Sequence, residues 1–313
     1  MELETVEEII ACLPEERTLF HYHKDRYALM LLAWAAGEGC RVDKLRRGSF
    51  APLLDKPLVK QVLSRLGKGE VDGNTLASAW ADHCDTFLLT VGRWGGDRHW
   101  DQTSRGRYNL VLRVNFNLAH DRAYRKLIKP GMRHPFSYCG HPVLRPGQRD
   151  YMRETLAWAR MDVELDRGEA LIEEIQSDWV RRVASLSASS QRADVKLLQA
   201  RWGFGASAED IRDYAEQVFA PYRPIWDEAM LSAAIGFIRD ELGLKRIWYH
   251  SWEGGNRMKR IDYAQPPRSL YTRLPRRFCF RPGEEAPGFL AERRDYRRLV
   301  RKGGPVSWYR LDV

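Results

Sequence analysis

"TLAWARMDVELDRGEALIEEIQSDW", Thr155 to Trp179, decides how the chain folds. Its first part, "TLAWARMDVEL", has the apolar, aromatic-containing texture of a strand, the link "DRG" offers Gly168 for a tight turn, and "EALIEEIQSDW" returns as a second strand. The two parts read as a β-hairpin. Side chains alternate faces along a strand, so Leu171, Glu173, Ile175, Ser177 and Trp179 are expected on one side. Ile172, Glu174, Gln176 and Asp178 are expected on the other, with the three polar groups roughly 7 Å apart. Burying an unpaired carboxylate is costly, so such a row should line a cleft or meet donors. An edge strand with one wet face is the plain alternative.

Working outward, "DTFLLTVGRW" and "RYNLVLRVNF" are further strands on either side of "GGDRHWDQTSRG", whose glycines and polar residues predict a mobile loop. "AHDRAYRKLI" predicts a short helix, and the prolines and glycines of "KPGMRHPFSYCGHPVLRPGQ" break both regular periods. Downstream, "PIWDEAMLSAAIGFIRDELG" opens with Pro224 and acids in a first helical turn, keeps apolar residues at helical spacing and stops at Gly243. "RIWYHSW" is then a strand, "EGGN" a turn, "PRSLYTRLPRRFCF" a short basic helix running into a strand, and "VSWYRLDV" a closing strand. The order predicts an α+β fold, a mixed, mostly antiparallel sheet with packed helices. Ahead of it, residues 1–84 read as a helical N-terminal region, leaving 85–313 as the sheet domain.

A chain of 313 residues with 44% hydrophobic content supports a sizeable core, to which Trp158, Trp179, Trp226 and Trp248 are natural contributors. No apolar run approaches the roughly 20 residues of a membrane span, and the acidic start "MELETVEEII" is unlike a secretory signal, so a cytoplasmic location is expected. The five cysteines include no CxxC pair, and neither His83 with Cys84 nor Cys139 with His141 has a standard zinc spacing; no metal is expected. His21 and His23 of "FHYH" read as ordinary partly buried residues.

Charge is unevenly placed. The net charge is +9, and the stretch 256–302, with fourteen basic and five acidic residues, accounts for the whole excess. Such a region attracts the phosphates of a nucleic acid or a nucleotide. Arg273, Arg276, Arg277, Arg297 and Arg298 are the candidate contacts, with Tyr263, Tyr271, Phe278, Phe280 and Tyr296 as candidate stacking rings. A solvated Arg-rich helix face is the alternative.

Residues 108–280 resemble a domain found in the large polyvalent proteins of phages and mobile elements, which carries the E-I-Q-S-D-W signature intact here at Glu174, Ile175, Gln176, Ser177, Asp178 and Trp179. Where relatives have Thr-Thr-Gly after the later strand, this chain has His250, Ser251 and Trp252. The element order also resembles the GNAT acyl-CoA N-acyltransferases, with "SLYTRLPRRFCF" in the place of the helix bearing the catalytic tyrosine. That likeness implies an acyltransferase acting on an amine, with acetyl-CoA or another acyl-CoA as cofactor. It makes Tyr271 the candidate general acid and Glu174 the candidate base, its carboxyl raised by apolar neighbours. Asp178 joins them as a catalytic candidate, and Gln176, Ser177, Trp179 and His250 as substrate contacts. Arg223 is the candidate cofactor contact, because "FAPYRPIWDE" lacks the glycines with which those enzymes hold pyrophosphate. A non-catalytic nucleic-acid module is the competing class, and an ADP-ribosyltransferase built on Glu173 and Glu174 a third.

Overall fold

The structure, a computed structural model, describes residues 1–313 apart from 15–17, 68, 97–101, 129–135, 139, 145–152, 191–202, 264 and the side chains of 186–190. An eight-stranded sheet runs in the order β1 (Thr18–Tyr22), β4 (Asp85–Trp94), β5 (Asn109–Asn115), β6 (Thr155–Glu164), β7 (Glu169–Gln176), β8 (Arg246–His250), β10 (Trp308–Asp312), β9 (Arg281–Gly283). A separate small ladder joins β2 (Cys40–Arg41) to β3 (Glu70–Val71). Within the large sheet every neighbouring pair is antiparallel except β7 with β8. A parallel pair needs a long crossover, which residues 177–245 supply. The fold is thus α+β, with a mixed, mostly antiparallel sheet and packed helices, as the element order predicts.

The hairpin of the opening stretch forms as β6 and β7, with Gly168 in the left-handed region at φ +64. Two departures from the simple reading follow from local chemistry. The strand stops at Gln176, because the Ser177 hydroxyl donates to the Leu156 carbonyl and accepts from the Val180 N–H, starting the helix Asp178–Ser190. Arg160 pairs with Glu174 while Met161 pairs with Ile172, so Glu173 is an extra residue, a β-bulge.

The helix Trp226–Gly236 lies across β5, β6 and β7. Ala229, Met230, Leu231, Ala233, Ala234 and Ile235 are all buried, and a helix apolar all round needs cover on both sides. The helix Arg26–Ala36 supplies the outer cover. Glu228 ties these layers together, accepting from Tyr22, Lys24, the Asp25 backbone N–H and Arg277. Residues 1–84 are largely helical, but "TLFHY" forms β1 against β4, so this region contributes to the same sheet. The expected turn "EGGN" is instead the first part of the helix Trp252–Lys259, capped by Ser251. Its glycines serve packing, since a Cβ at Gly254 would lie 2.7 Å from Val306. Of the expected loop "GGDRHWDQTSRG", residues 97–101 lie outside the described residues, and Thr103 and Ser104 are buried against the sheet.

On the helical side His120 Nε2 lies 2.8 Å from the Tyr214 hydroxyl, and its Nδ1 lies 3.2 Å from Asp121 Oδ1. Burial drives both groups toward neutrality, His120 down to about 3 and Asp121 up to about 7. The stabilisation from Asp121 is complete below its unfolded value of 3.8 and lost as pH rises through about 7. That from His120 is complete above 6.5 and lost as pH falls toward about 3. Thermal melts of Asp121→Asn should therefore lose less stability than wild type between about pH 4 and 7, and parallel curves would contradict this assignment.

Candidate functional site

Alternation on β6 sends Ala157, Ala159, Met161 and Val163 into the helical core and leaves Trp158, Arg160 and Asp162 on the opposite face. The bulge in β7 breaks the period of two, so Glu173 and Glu174 both face this second side while Ile172 and Ile175 stay in the core. The expected separation of the two glutamates onto opposite faces is corrected by that single extra residue. Residues 102–105 cross over it: the Gln102 carbonyl accepts from Arg160, Ser104 donates to Glu173, and Arg105 clasps Asp162 and Glu164.

Glu173 is fully buried. It accepts from the Ser104 N–H at 2.7 Å and the Ser104 hydroxyl at 2.9 Å, and lies 3.0 Å from His250 Nε2. Burial alone would raise this carboxyl, but the hydrogen bond from His250, with Lys259 and the Ser104 amide, holds it below the usual carboxylate range. His250 has its own value lowered, chiefly by burial, and is a neutral donor to Glu173. Serine, histidine and glutamate here do not form a proton relay, because hydroxyl and carboxylate meet the same ring nitrogen while Nδ1 has no partner.

Where β7 and β8 diverge, chemistry changes. Their parallel ladder covers only Glu169–Ile172 against Arg246–Tyr249. Beyond it the Glu173 carbonyl accepts from the buried Lys259 amine at 2.6 Å instead of from a strand. Burial lowers the Lys259 ammonium against the opposing pull of Glu174 and Glu173. Glu174 is ion-paired to Arg160, and although burial pushes it up, Arg160 and Lys259 hold it below the usual carboxylate range. The expectation of a raised, basic Glu174 is therefore reversed. Tyr271 is electrostatically coupled to Glu174: burial, then Glu174 and Tyr249, raise its phenol well above the ordinary value, so it stays protonated at neutral pH. The hydroxyls of Tyr249 and Tyr271 and both amide atoms of Asn256 are buried without partners among the described residues.

At the rim stands a pair the sequence reading did not assemble. His141 Nδ1 lies 2.8 and 2.9 Å from the two Asp178 carboxylate oxygens, and Asp178 also accepts from the Tyr138 N–H, Gln176 and Arg181. Burial would raise Asp178, but His141, the Tyr138 amide and Arg181 outweigh it and keep it ionised. The Gln176 amide nitrogen also lies 2.9 Å from Nδ1, and in the tautomer where Nδ1 donates to Asp178 the basic ring nitrogen is Nε2. His141 is 24% exposed and its ring lies 5.3 Å from that of Trp158, so this is where the cluster reaches solvent.

The structure thus brings Glu174, Gln176 and Asp178 into one neighbourhood, with Tyr271 electrostatically coupled to Glu174. Ser177 starts the helix instead of facing a cleft, and Trp179 is buried among Phe116, Tyr124 and Phe136. His250 is buried against Glu173, so neither it nor Trp179 lines an open surface. Arg223 is exposed, with its guanidinium over Phe219. Arg277 is engaged by Glu228, while Arg273, Arg276, Arg297 and Arg298 are exposed. Of the candidate stacking rings only Tyr263, 90% exposed, is at the surface. Arg160, Lys259, His141 and Ser104 were missed because each comes from a different segment and no spacing links them. The one usable signal was Arg160 within the otherwise apolar run Leu156–Met161.

Two surface cavities lie elsewhere. One of about 730 Å³ is lined by Leu13, Phe20, Leu89 and Phe237, and one of about 610 Å³ by Arg167, Lys245 and Arg246. Among the described residues no group of His, Cys, Asp and Glu is arranged to hold a metal, Cys139 lying outside them, and no helix is long and apolar enough to cross a membrane. No family model, curated protein or solved structure matches the chain.

Proposed function

We propose that the protein is a GNAT-like N-acyltransferase whose working site is the divergence of β7 from β8, between the second side of β6 and β7 and the buried Tyr249 and Tyr271. The observation that carries this reading is the single parallel pair, β7 with β8, which diverges after four residue pairs at a bulge and has proton donors and ionised groups gathered at the divergence. The unpartnered Tyr249 and Tyr271 hydroxyls and the Asn256 amide fit the polar acyl-thioester end of an acyl-CoA. The nucleotide end has no glycine-rich cradle, since Asp178 opens the helix that follows β7. When bound, an acyl-CoA supplies the activated acyl group.

The chain's own residues supply proton handling. His141 Nε2 takes the proton that the attacking amine loses, and Asp178 holds the ring and stabilises the resulting imidazolium. Tyr271 returns a proton to the departing sulfur, so that the carbon–sulfur bond breaks as the carbon–nitrogen bond forms. Glu174, locked to Arg160, keeps a fixed negative charge between these two groups. Thiol release on mixing protein, acetyl-CoA and a panel of primary amines tests the reading. Amine-dependent release supports it, and none with any amine sinks it.

A nucleic-acid module remains the second reading, favoured by the exposed arginines of the helix Arg294–Gly303. It predicts oligonucleotide binding that weakens steeply between about 50 and 200 mM salt and survives His141→Ala. Absence of salt-sensitive binding would exclude it.

A further inference from the structure

Arg160 presents donors that nothing among the described residues uses. Its Nη2 donates to Glu174 and to the Gln102 carbonyl, but Nε and Nη1 have no acceptor, although the residue is only 2% exposed. A guanidinium cannot shed its charge, so buried N–H bonds of this kind are costly to leave unmade. The indole N–H groups of Trp94 and Trp158 are also buried without acceptors, and the Arg160 guanidinium carbon lies 5.6 and 6.0 Å from those two ring centres. Three neighbouring side chains thus carry buried donors without an acceptor among the described residues, which points to an anionic oxygen as the missing partner.

We propose that this spot seats the carboxylate of the acyl acceptor, an amine that also carries a carboxylate, resting on the acyltransferase reading above for the role of the amine. Charge favours a carboxylate over a phosphate. Glu173 and Glu174 already face Arg160 and Lys259, so a single added negative charge is tolerated better than two. Distance favours an amine several bonds away. Trp158 and Gln176, the pair that carries His141, stand two residues along the strand from Arg160 and Glu174, or roughly 7 Å. Part-exposed Trp94, His141 and Gln176 form the rim through which such a molecule enters.

Calorimetric titration of the whole protein without acyl-CoA, using δ-aminovalerate, n-pentylamine and inorganic phosphate, tests this separately from catalysis. Binding of δ-aminovalerate but not pentylamine is expected. Arg160→Lys should weaken it by about tenfold or more, and Trp158→Phe, which keeps the ring and removes one N–H, by about three- to tenfold. Equal binding of pentylamine, tighter binding of phosphate, or unchanged affinity in Trp158→Phe overturns the proposal, even where Arg160→Lys fails to fold. Carboxylate binding without acetyl transfer would leave this site standing and remove the acyltransferase reading. Transfer to amines that lack a carboxylate, without carboxylate binding, would do the reverse.

Discussion

Alanine at His141 is expected to slow acyl transfer by about 10²–10⁴-fold while leaving the fold intact. The effect follows from geometry. The ring is held through Nδ1 by a carboxylate that also receives a backbone N–H, a glutamine and an arginine, so its orientation is fixed before substrate arrives. The side chain is part exposed and packs on Trp158 at the solvent rim, so its loss opens no deep cavity. Asp178→Asn should also lose rate but respond differently to pH, because the imidazolium formed in the reaction loses its counter-charge. Steady-state rates from about pH 5 to about pH 9 check both. Equal rates for wild type and His141→Ala would remove the dyad from the mechanism.

Trp179→Ala should cost about 3–5 kcal/mol of stability, the largest structural effect expected of any residue in the signature. The indole is fully buried, with ring centres of Tyr124, Phe136, Phe116 and His120 at 4.6, 4.8, 4.9 and 5.2 Å. Truncation leaves a cavity bounded by aromatic rings that cannot collapse into it. Urea unfolding measures the loss, and a change under about 1 kcal/mol would show that the cluster tolerates the gap. Trp179 closes the signature for a structural reason, anchoring the helix that carries Asp178, and makes no demand on substrate.

How far the amino-acid order revealed this arrangement differs from residue to residue. The hairpin, the long apolar helix and the closing strands were legible because each rests on a local period, of two or of 3.6 residues. The bulge at Glu173 was not, because one inserted residue leaves "LIEEIQ" unchanged as a pattern while turning Glu173 toward Glu174. β1 escaped because its short run includes polar positions and gains its strand character from β4. Polar residues in "EEIQSDW" announced a site, and Glu174, Gln176 and Asp178 do gather there. Their partners Arg160, His141 and Lys259 were invisible, since only tertiary folding joins β6, the 136–144 segment and the end of the Trp252–Lys259 helix.

The most direct test of the central claim is the rate of thiol release from acetyl-CoA with a panel of primary amines that includes δ-aminovalerate, compared between wild type, His141→Ala and Tyr271→Phe. Acceptor-dependent release by wild type that falls in both variants, with all three proteins equally folded by circular dichroism, is the predicted result. Release that is absent in wild type, or unchanged in both variants, would contradict the assignment of this face as an acyl-transfer site.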